Sequence, residues 1–183
     1  GVWWSGGDDD ARAGGAGAKG FKTVNLQGVG ADYQALQDIK AHVVDKGMGQ
    51  TKASMIGENL YNRGVYNSVI MAEAIRTAQE LTGKKVIDAA DMRAGFEALE
   101  ISEERWKEIG LADFAPPIKI TCEDHSGHNL VYMAEWDGEK WVKASDWFEP
   151  MTDVVAPLLA TAAKEYVEKN APWPARTEEC ASN

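Results

Sequence analysis

Residues 57–83 read GENLYNRGVYNSVIMAEAIRTAQELTG, and they form the longest helical pattern in the chain. Apolar side chains recur three or four positions apart, as on the buried face of a helix. These positions are Leu60, Val65, Val69, Ala72, Ile75, Ala78 and Leu81. Because they follow one another so closely, we expect the helix over residues 57–82 to be buried on more than one side. Gly83 is the kind of residue at which a helix ends.

Shorter elements precede this helix. Residues 1–4 are apolar and read as a strand. Residues 21–26 alternate apolar and polar side chains, which also predicts a strand. Asp32 is suited to cap a helix that runs to Asp45.

The chain after the long helix predicts a second helix over residues 88–99 and then mostly strands. Residues 118–121, 130–136 and 140–144 read as three strands of a β-meander, with a hairpin turn at Asp137 and Gly138. Residues 151–169 read as a terminal helix. The mixture indicates an α/β or α+β fold, and the pattern alone does not choose between them.

Composition excludes several classes of protein. The chain has 183 residues, of which 44% are hydrophobic and 26% charged, as in an ordinary globular domain. Its net charge of −10 and its lack of basic runs argue against a nucleic-acid partner. No apolar run reaches the roughly 20 residues of a membrane-spanning helix. Since the chain begins at Gly1 with no signal segment, we expect it to be the later part of a longer protein.

The two cysteines, Cys122 and Cys180, allow two interpretations. Both thiols could be reduced and buried. An even number of cysteines in a secreted protein more often indicates a disulfide. Cys180 lies in a polar chain end, where a buried free cysteine is not expected. We therefore predict a disulfide between Cys122 and Cys180 and an oxidising compartment.

The same region has the spacing of a metal site, Cys122-x2-His125-x2-His128, with Glu123 or Asp124 as a further ligand. The disulfide competes for Cys122, and residues 124–129 read as a polar turn. We expect no metal there.

Other catalytic motifs are weak or missing. Residues 15–20 spell GxGxxG, but they precede a strand, whereas a dinucleotide site needs this motif after one. The chain contains neither a GxxxxGK[ST] phosphate loop nor a G-x-S-x-G elbow. We therefore expect no catalytic residue and no cofactor.

Two groups of residues are candidates for ligand contact. Trp3, Trp4 and Ser5 end the first predicted strand, and open α/β sheets bind ligands beyond the carboxyl ends of strands. Tyr61, Asn62 and Arg63 open the long helix, where polar groups can capture an anionic ligand end. From the residues alone, packing explains the tryptophans equally well, and a solvated helix surface explains the second group.

Several segments of the chain, in order, resemble branched-chain amino-acid ABC-transporter substrate-binding proteins. They are GVWWSG at residues 1–6, AKGFK at 18–22, LYNRGVYNSVIMAEAIRTAQ at 60–79, PPIKITCEDHSG at 116–127 and WDGEKW at 136–141. The ordered combination over nearly the whole chain carries the resemblance, since no single motif is diagnostic.

The resemblance implies an α/β fold that is part of a type I periplasmic-binding-protein fold, with two Rossmann-like lobes, a C-terminal β-meander and a terminal helix. Such proteins are about twice as long as this chain. It implies that residues 1–27 end a second-lobe segment and that residues 28–113 form a first-lobe helical segment. Residues 114–150 would then hold a crossover and second-lobe strands, and residues 151–183 the C-terminal helix and tail.

The resemblance also implies a function. The protein is expected to be a secreted periplasmic carrier, made with a signal peptide, that passes an amino acid or related small molecule to the membrane permease of an ABC transporter. It is expected to have no enzymatic activity. This chain is expected to associate with the missing N-terminal portion or with another copy. The alternatives are a cysteine-dependent hydrolase or amidase that uses Cys122, and a ligand-sensing domain of the same fold.

The resemblance places both candidate groups at the ligand. We therefore predict that the ligand-binding residues are Trp3, Trp4, Ser5, Tyr61, Asn62 and Arg63. Amino-acid binders often hold the ligand's ammonium group with an acidic residue near the first of these positions, where this chain has Trp, Trp and Ser. The ligand is therefore expected to be either leucine-like or an aromatic, otherwise flat or amide compound.

Overall fold

A computed structural model of the chain describes residues 1–127, 130–173 and 180. The helices are α1 (Asp8–Ala13), α2 (Gln34–Ile39), α3 (Asn59–Thr82), α4 (Ala89–Glu97), α5 (Glu103–Glu108) and α6 (Thr152–Lys169). The strands are β1 (Lys22–Asn25), β2 (Glu100–Ile101), β3 (Ile118–Lys119), β4 (Tyr132–Trp136) and β5 (Trp141–Lys143). Short 3₁₀ turns lie at Trp3–Ser5, Gly15–Ala18 and Ala53–Met55, and a π turn at Lys40–Val44 continues α2.

The strands form two antiparallel sheets. One has the order β1-β4-β5, and the other pairs β2 with β3. The prediction of a meander of three consecutive strands is therefore wrong, because β1 supplies the third strand of the larger sheet. Ile118 is buried in the same hydrophobic cluster as Ile101, its partner in the ladder, and this packing directs β3 to β2. The predicted hairpin between β4 and β5 is present.

One hydrophobic cluster lies between α3, α4, α5 and the β2-β3 pair. Trp106 is at its centre with 1% of its surface exposed, and its indole N–H donates to the Pro116 carbonyl at 3.1 Å. The Tyr66 ring lies nearly parallel to the Trp106 ring, with 6.2 Å between the centroids. A second cluster lies on the larger sheet, where Trp136 and Trp141 form an edge-to-face cross-strand pair at 5.6 Å. Such aromatic pairs stabilise sheets beyond the area that they bury.

Helix α3 has the predicted bounds to within two residues, and Gly83 ends it in the left-handed conformation with φ of 67°. The prediction that α3 is buried on more than one side is wrong. Leu60 is 51% exposed and Leu81 59% exposed. Polar and small residues fill much of the buried side. Val65, Val69 and Ile70 pack partly buried against the first cluster, whereas Leu60, Met71, Ile75 and Leu81 are exposed. The buried residues of α3 are Asn59, Asn62, Arg63, Tyr66, Glu73, Ala74 and Ala78.

The first residues form a turn, so the predicted strand over residues 1–4 is also wrong. The Ser5 N–H and its hydroxyl both donate to the Val2 carbonyl, and the Thr23 hydroxyl does the same. The turn satisfies this backbone locally, which removes the need for a strand partner. Asp32 does not cap α2, because that helix begins at Gln34 and Tyr33 occupies the cap position.

The predicted terminal helix is present as α6, and it has no buried residue. In the parts of the chain that the structure describes, no helix has both the length and the hydropathy that a bilayer crossing requires.

Candidate functional site

The start of α3 brings Arg63 against the two tryptophans of the first turn. The Arg63 guanidinium carbon lies 4.1 Å from the centre of the Trp3 ring and 5.4 Å from that of Trp4. Its Nη2 donates to the Trp3 carbonyl. Arg63 is only 5% exposed, whereas the Trp4 side chain is 75% exposed. The arrangement is a buried cation covered by aromatic faces, which attract cations through their ring quadrupoles.

Gly6 allows this turn to approach α3 and β1. A Cβ atom at this position would lie 2.5 Å from the Asn59 amide nitrogen and 2.9 Å from the Thr23 methyl group. No side chain fits in that space. The Gly6 carbonyl accepts a hydrogen bond from Asn59 Nδ2 at 2.8 Å, which fixes the turn on the first residue of α3.

A network of buried amides lies beneath the turn. Asn25 and Asn59 bond reciprocally, with amide-to-oxygen distances of 3.0 and 3.2 Å, and Gln27 Nε2 donates to Asn59 Oδ1 at 2.9 Å. The Tyr132 hydroxyl donates to the Gln27 carbonyl at 2.9 Å. Burial raises the pKa of Tyr132, so this hydroxyl keeps its proton. Buried networks of this kind are rigid when their members are paired.

Asp8 caps α3 from outside the helix. Its Oδ2 accepts a hydrogen bond from the Asn59 backbone N–H at 2.8 Å, and the residue is 6% exposed. Such a contact satisfies one of the N–H groups that a helix start leaves unpaired. Burial raises the pKa of Asp8 to about 6, with Glu58 adding to the increase and the Asn59 hydrogen bond and Arg12 opposing it.

Three hydrogen-bond donors of Arg63 and Trp3 have no acceptor in the described part of the chain. Nε and Nη1 of Arg63 and Nε1 of Trp3 are buried and have no hydrogen-bond partner among the residues that the structure describes. Burial lowers the pKa of the Arg63 guanidinium. Four other buried atoms of the described residues also have no partner, namely Gln27 Oε1, Asn62 Oδ1, Trp136 Nε1 and Trp141 Nε1. Because such groups are costly, those of Arg63 and Trp3, which lie together, are candidates for ligand contact.

The structure separates the six predicted ligand-binding residues. Trp3, Trp4 and Arg63 form one cluster. The Ser5 hydroxyl is occupied by the Val2 carbonyl, and Asn62 Nδ2 donates to the carbonyls of Gly28 and Gly30, at 2.9 Å each. These bonds give Asn62 a structural role at the 28–30 loop.

Tyr61 faces the opposite side of α3. There it lines an open apolar groove with a volume of about 620 Å³. The groove, called the apolar groove below, is lined by Ile39, Leu60, Tyr61, Gly64, Val65, Ser68, Val69 and Ala72.

Sequence reasoning missed the amides that support the site. Thr23, Asn25 and Gln27 are fully buried, while Val24 and Leu26 between them are partly exposed. Polar residues therefore form the inner face of β1 and its continuation. Their spacing of two along a strand was a visible signal, since alternate residues share one face. We call the buried contact of Thr23, Asn25, Gln27, Asn59, Asn62 and Arg63 the polar seam.

The predicted disulfide joins Cys122 to Cys180, with Cα atoms 5.5 Å apart. His125 Nε2 lies 3.6 Å from a Glu97 carboxylate oxygen. His128, the other histidine of the metal-like spacing, lies outside the described residues. Within residues 1–127, 130–173 and 180, no group of three or more metal-ligating side chains is close enough to hold an ion.

Comparisons with known proteins concern the fold. No protein-family model matches the chain, and no curated protein matches it. A crystal structure described as an ABC transporter permease from the Pseudomonas fluorescens group matches 97% of this chain with a TM-score of 0.86 and 28% identity. A branched-chain amino acid ABC transporter structure from Thermus thermophilus with bound valine matches 84% with a TM-score of 0.63 and 21% identity.

This chain spans 43% of the first of those proteins and 40% of the second. The likeness establishes a mixed helix-and-sheet fold that this chain shares with part of two longer ABC-transporter proteins.

Proposed function

We propose that this chain is the later part of a two-lobed solute-binding protein of an ABC importer. In this proposal the complete protein has the type I periplasmic-binding-protein fold and holds an amino acid or related small molecule between its lobes. The observation that carries the proposal is the match of 97% of this chain to 43% of a longer ABC-transporter protein. The bound valine of the second neighbour supports the choice of ligand class.

The proposed lobe segments are 1–27, 28–113, 114–150 and 151–183, and the two hydrophobic clusters follow them in part, because Phe114, Ala115 and Ile118 pack with residues of the second segment. Residues 28 and 114 lie at the proposed crossings, and the Gly28 N–H donates to the Phe114 carbonyl at 2.6 Å. Two crossings bonded side by side are the geometry expected of a hinge between lobes.

The apolar groove supports the proposal that a first-lobe portion completes the protein. An open apolar surface on a long helix is typical of an interface. In the proposed protein the N-terminal portion covers the groove, and in its absence another copy of the chain can do so.

Ligand binding would act through closure of the lobes. A solute that contacts both lobes only in the closed form shifts the population toward that form. The closed form would then dock on the membrane permease, in the periplasm, without any chemical step. The disulfide fits an oxidising compartment of this kind.

Two alternatives have less support. A cysteine hydrolase needs a thiolate, and the Cys122 sulfur is bonded to Cys180. A ligand-sensing domain of the same fold would bind solute in the same way but would be attached to a signalling segment. Thiol titration of the denatured, unreduced protein tests the first alternative, and a free thiol in every chain would favour it.

The proposal is tested by a solute screen on the longer protein that contains this chain. A bound solute stabilises the native state by about 2.7 kcal/mol at a hundred times its dissociation constant, which a thermal-shift assay detects. We expect at least one amino acid, aromatic acid or amide to raise the melting temperature. The 183-residue chain by itself should bind the same solute weakly or not at all. Tight binding by this chain as a monomer, or no response of the longer protein to any solute, would contradict the proposal.

A further inference from the structure

We propose that the bound solute carries a carboxylate group, which the guanidinium of Arg63 recognises, and a flat apolar body that stacks on the ring of Trp4. This inference rests on the proposed function, because it names the chemistry of the solute at that same site. It goes beyond that function by choosing an anion over a neutral amide and an aromatic body over a small aliphatic one.

Arg63 differs from the other arginines that the structure describes. The other four are paired with carboxylates, and the side chain of each is more exposed than that of Arg63. Those pairs are Arg12 with Asp9 and Glu58, Arg76 with Glu73 and Glu80, Arg93 with Glu97, and Arg105 with Glu73 and Glu108. Within residues 1–127, 130–173 and 180, no carboxylate lies within ion-pairing distance of Arg63. In a chain with a net charge of −10, the most buried of the described arginines is therefore the one of them left without an anion.

The unpartnered atoms of Arg63 and Trp3 are donors, whereas the unpartnered acceptors Gln27 Oε1 and Asn62 Oδ1 belong to other residues of the polar seam. Among the residues that the structure describes, Nε and Nη1 of the guanidinium therefore lack an acceptor. Arg63 Nε, Arg63 Nη1 and Trp3 Nε1 are all donors, and a carboxylate is a pure acceptor with two oxygens. An amide carbonyl could accept one of these bonds but would leave the buried positive charge without a counter-charge. Since a buried charge is costly unless it is paired, a carboxylate is the group that the site lacks.

Trp4 supplies the second element of recognition. Its ring is 75% exposed and lies 4.9 Å from the Trp3 ring, at the edge of the buried guanidinium. Because so little of Trp4 is packed, it can turn aside from Arg63 without losing much contact, and Gly6 and Gly7 follow it in the chain. A flat ligand body then stacks on this ring while its carboxylate reaches the donors, as aromatic side chains do in many ligand sites.

The direct test is an NMR titration of the longer protein that contains this chain, with three probes, phenylacetate, benzoate and indole-3-acetate. The signals to follow are the Arg63 Nε–H and the Trp3 indole N–H. We expect at least one carboxylate to shift both signals in a saturable way. The matched amide, for example phenylacetamide, should leave them in place.

Variants separate recognition from folding. Arg63→Gln removes the charge and keeps a shorter polar side chain, and it should weaken carboxylate binding at least about tenfold, as expected for loss of a charge-assisted hydrogen bond. Arg63→Lys keeps the charge and should weaken binding less. Arg76→Gln, on the same helix but in an ion pair with Glu73, is the matched control and should bind the carboxylate as the parent chain does. Arg63→Gln also loses the hydrogen bond to the Trp3 carbonyl and the contacts with the two indole rings, so binding is compared only below the melting temperature measured for each variant without probe.

The outcomes distinguish this inference from the proposed function. If none of the carboxylates shifts the Arg63 signal, if amide and carboxylate act alike, or if Arg63→Gln binds normally, the anion site is wrong. If the longer protein then binds a neutral solute and closes, the proposed function survives alone. If carboxylates shift the Arg63 signal but the two lobes of the longer protein stay open, the anion site survives and the solute-carrier function fails.

Discussion

On helix α3, the side that carries polar residues is buried, and the opposite side, which carries apolar residues, is partly exposed. The side that meets β1 is buried and contributes Asn59, Asn62 and Arg63 to the polar seam. The opposite side carries Leu60, Val65 and Val69 and forms the open apolar groove. An ordinary amphipathic helix has the reverse arrangement, with its apolar side against the core.

The difference between the two sides assigns them different roles. The polar seam costs free energy wherever a group is unpaired, so its paired members stabilise the fold and its unpaired donors mark the candidate ligand site. The apolar groove leaves Leu60 half exposed, while Val65 and Val69 also pack partly buried against the first hydrophobic cluster. In the proposed protein the N-terminal portion covers the groove. The predictions below test this contrast, starting with the largest effect.

The largest effect is expected from Asn59→Ala in the polar seam. The substitution leaves the Gly6 carbonyl without a partner and leaves Gln27 Nε2 with only its 3.4 Å bond to the Asn59 backbone carbonyl, in a buried region. We expect a loss of about 2 to 4 kcal/mol in the free energy of unfolding, measured by urea denaturation. Asn67→Ala is the matched control, because Asn67 lies on the same helix and is exposed. If Asn59→Ala lowers the free energy of unfolding no more than the control does, the polar seam adds nothing to stability.

A smaller and pH-dependent effect is expected from Asp8→Asn, at the start of the seam. The pKa of Asp8 is raised from 3.8 to about 6 in the folded state, so the native protein binds more protons than the unfolded chain between these values. Its contribution to stability is therefore present below the unfolded value and is lost as the pH rises through about 6. Asparagine keeps an acceptor for the Asn59 N–H without a charge. At about pH 7.5 the variant should be more stable than the parent by about 1 to 2 kcal/mol.

The measurement for Asp8→Asn is urea denaturation on both sides of this pH window. The advantage of the variant should shrink toward zero in acid. Asp9→Asn, which removes a charge from a side chain that is 91% exposed, is the surface control for this comparison. An advantage of equal size at both pH values would mean that burial of the Asp8 charge is not its cause.

The difference between the two sides of α3 also explains which structural features could be predicted from the sequence. The helical spacing of residues 57–82 was enough to place α3, because the period of a helix does not depend on which side is buried. The burial of α3 was predicted wrongly because apolar residues were assumed to face this chain's own core, whereas that face is open. The first strand was predicted wrongly because two adjacent tryptophans suit a strand or a turn, and a hydrogen bond to Val2 from residue 23 decides between them. Arg63 was predicted as a site residue, but its lack of an anion is visible only once its neighbours are known.

The smallest effect on stability is expected from Leu60→Gln in the apolar groove. Leu60 is already 51% exposed, so the free energy of unfolding of this chain should change by no more than about 0.5 kcal/mol. Self-association of the chain, followed by sedimentation velocity, should fall because the groove becomes more polar. Leu81→Gln is the matched control, since Leu81 is 59% exposed on the same helix but lies outside the groove.

In the longer protein the same Leu60→Gln change should lower the free energy of unfolding by about 1 to 3 kcal/mol, because there the side chain would be buried against the N-terminal portion. An equal effect of Leu60→Gln in the short and the long protein would mean that nothing covers the groove, and the two sides of α3 would then differ in composition but not in role.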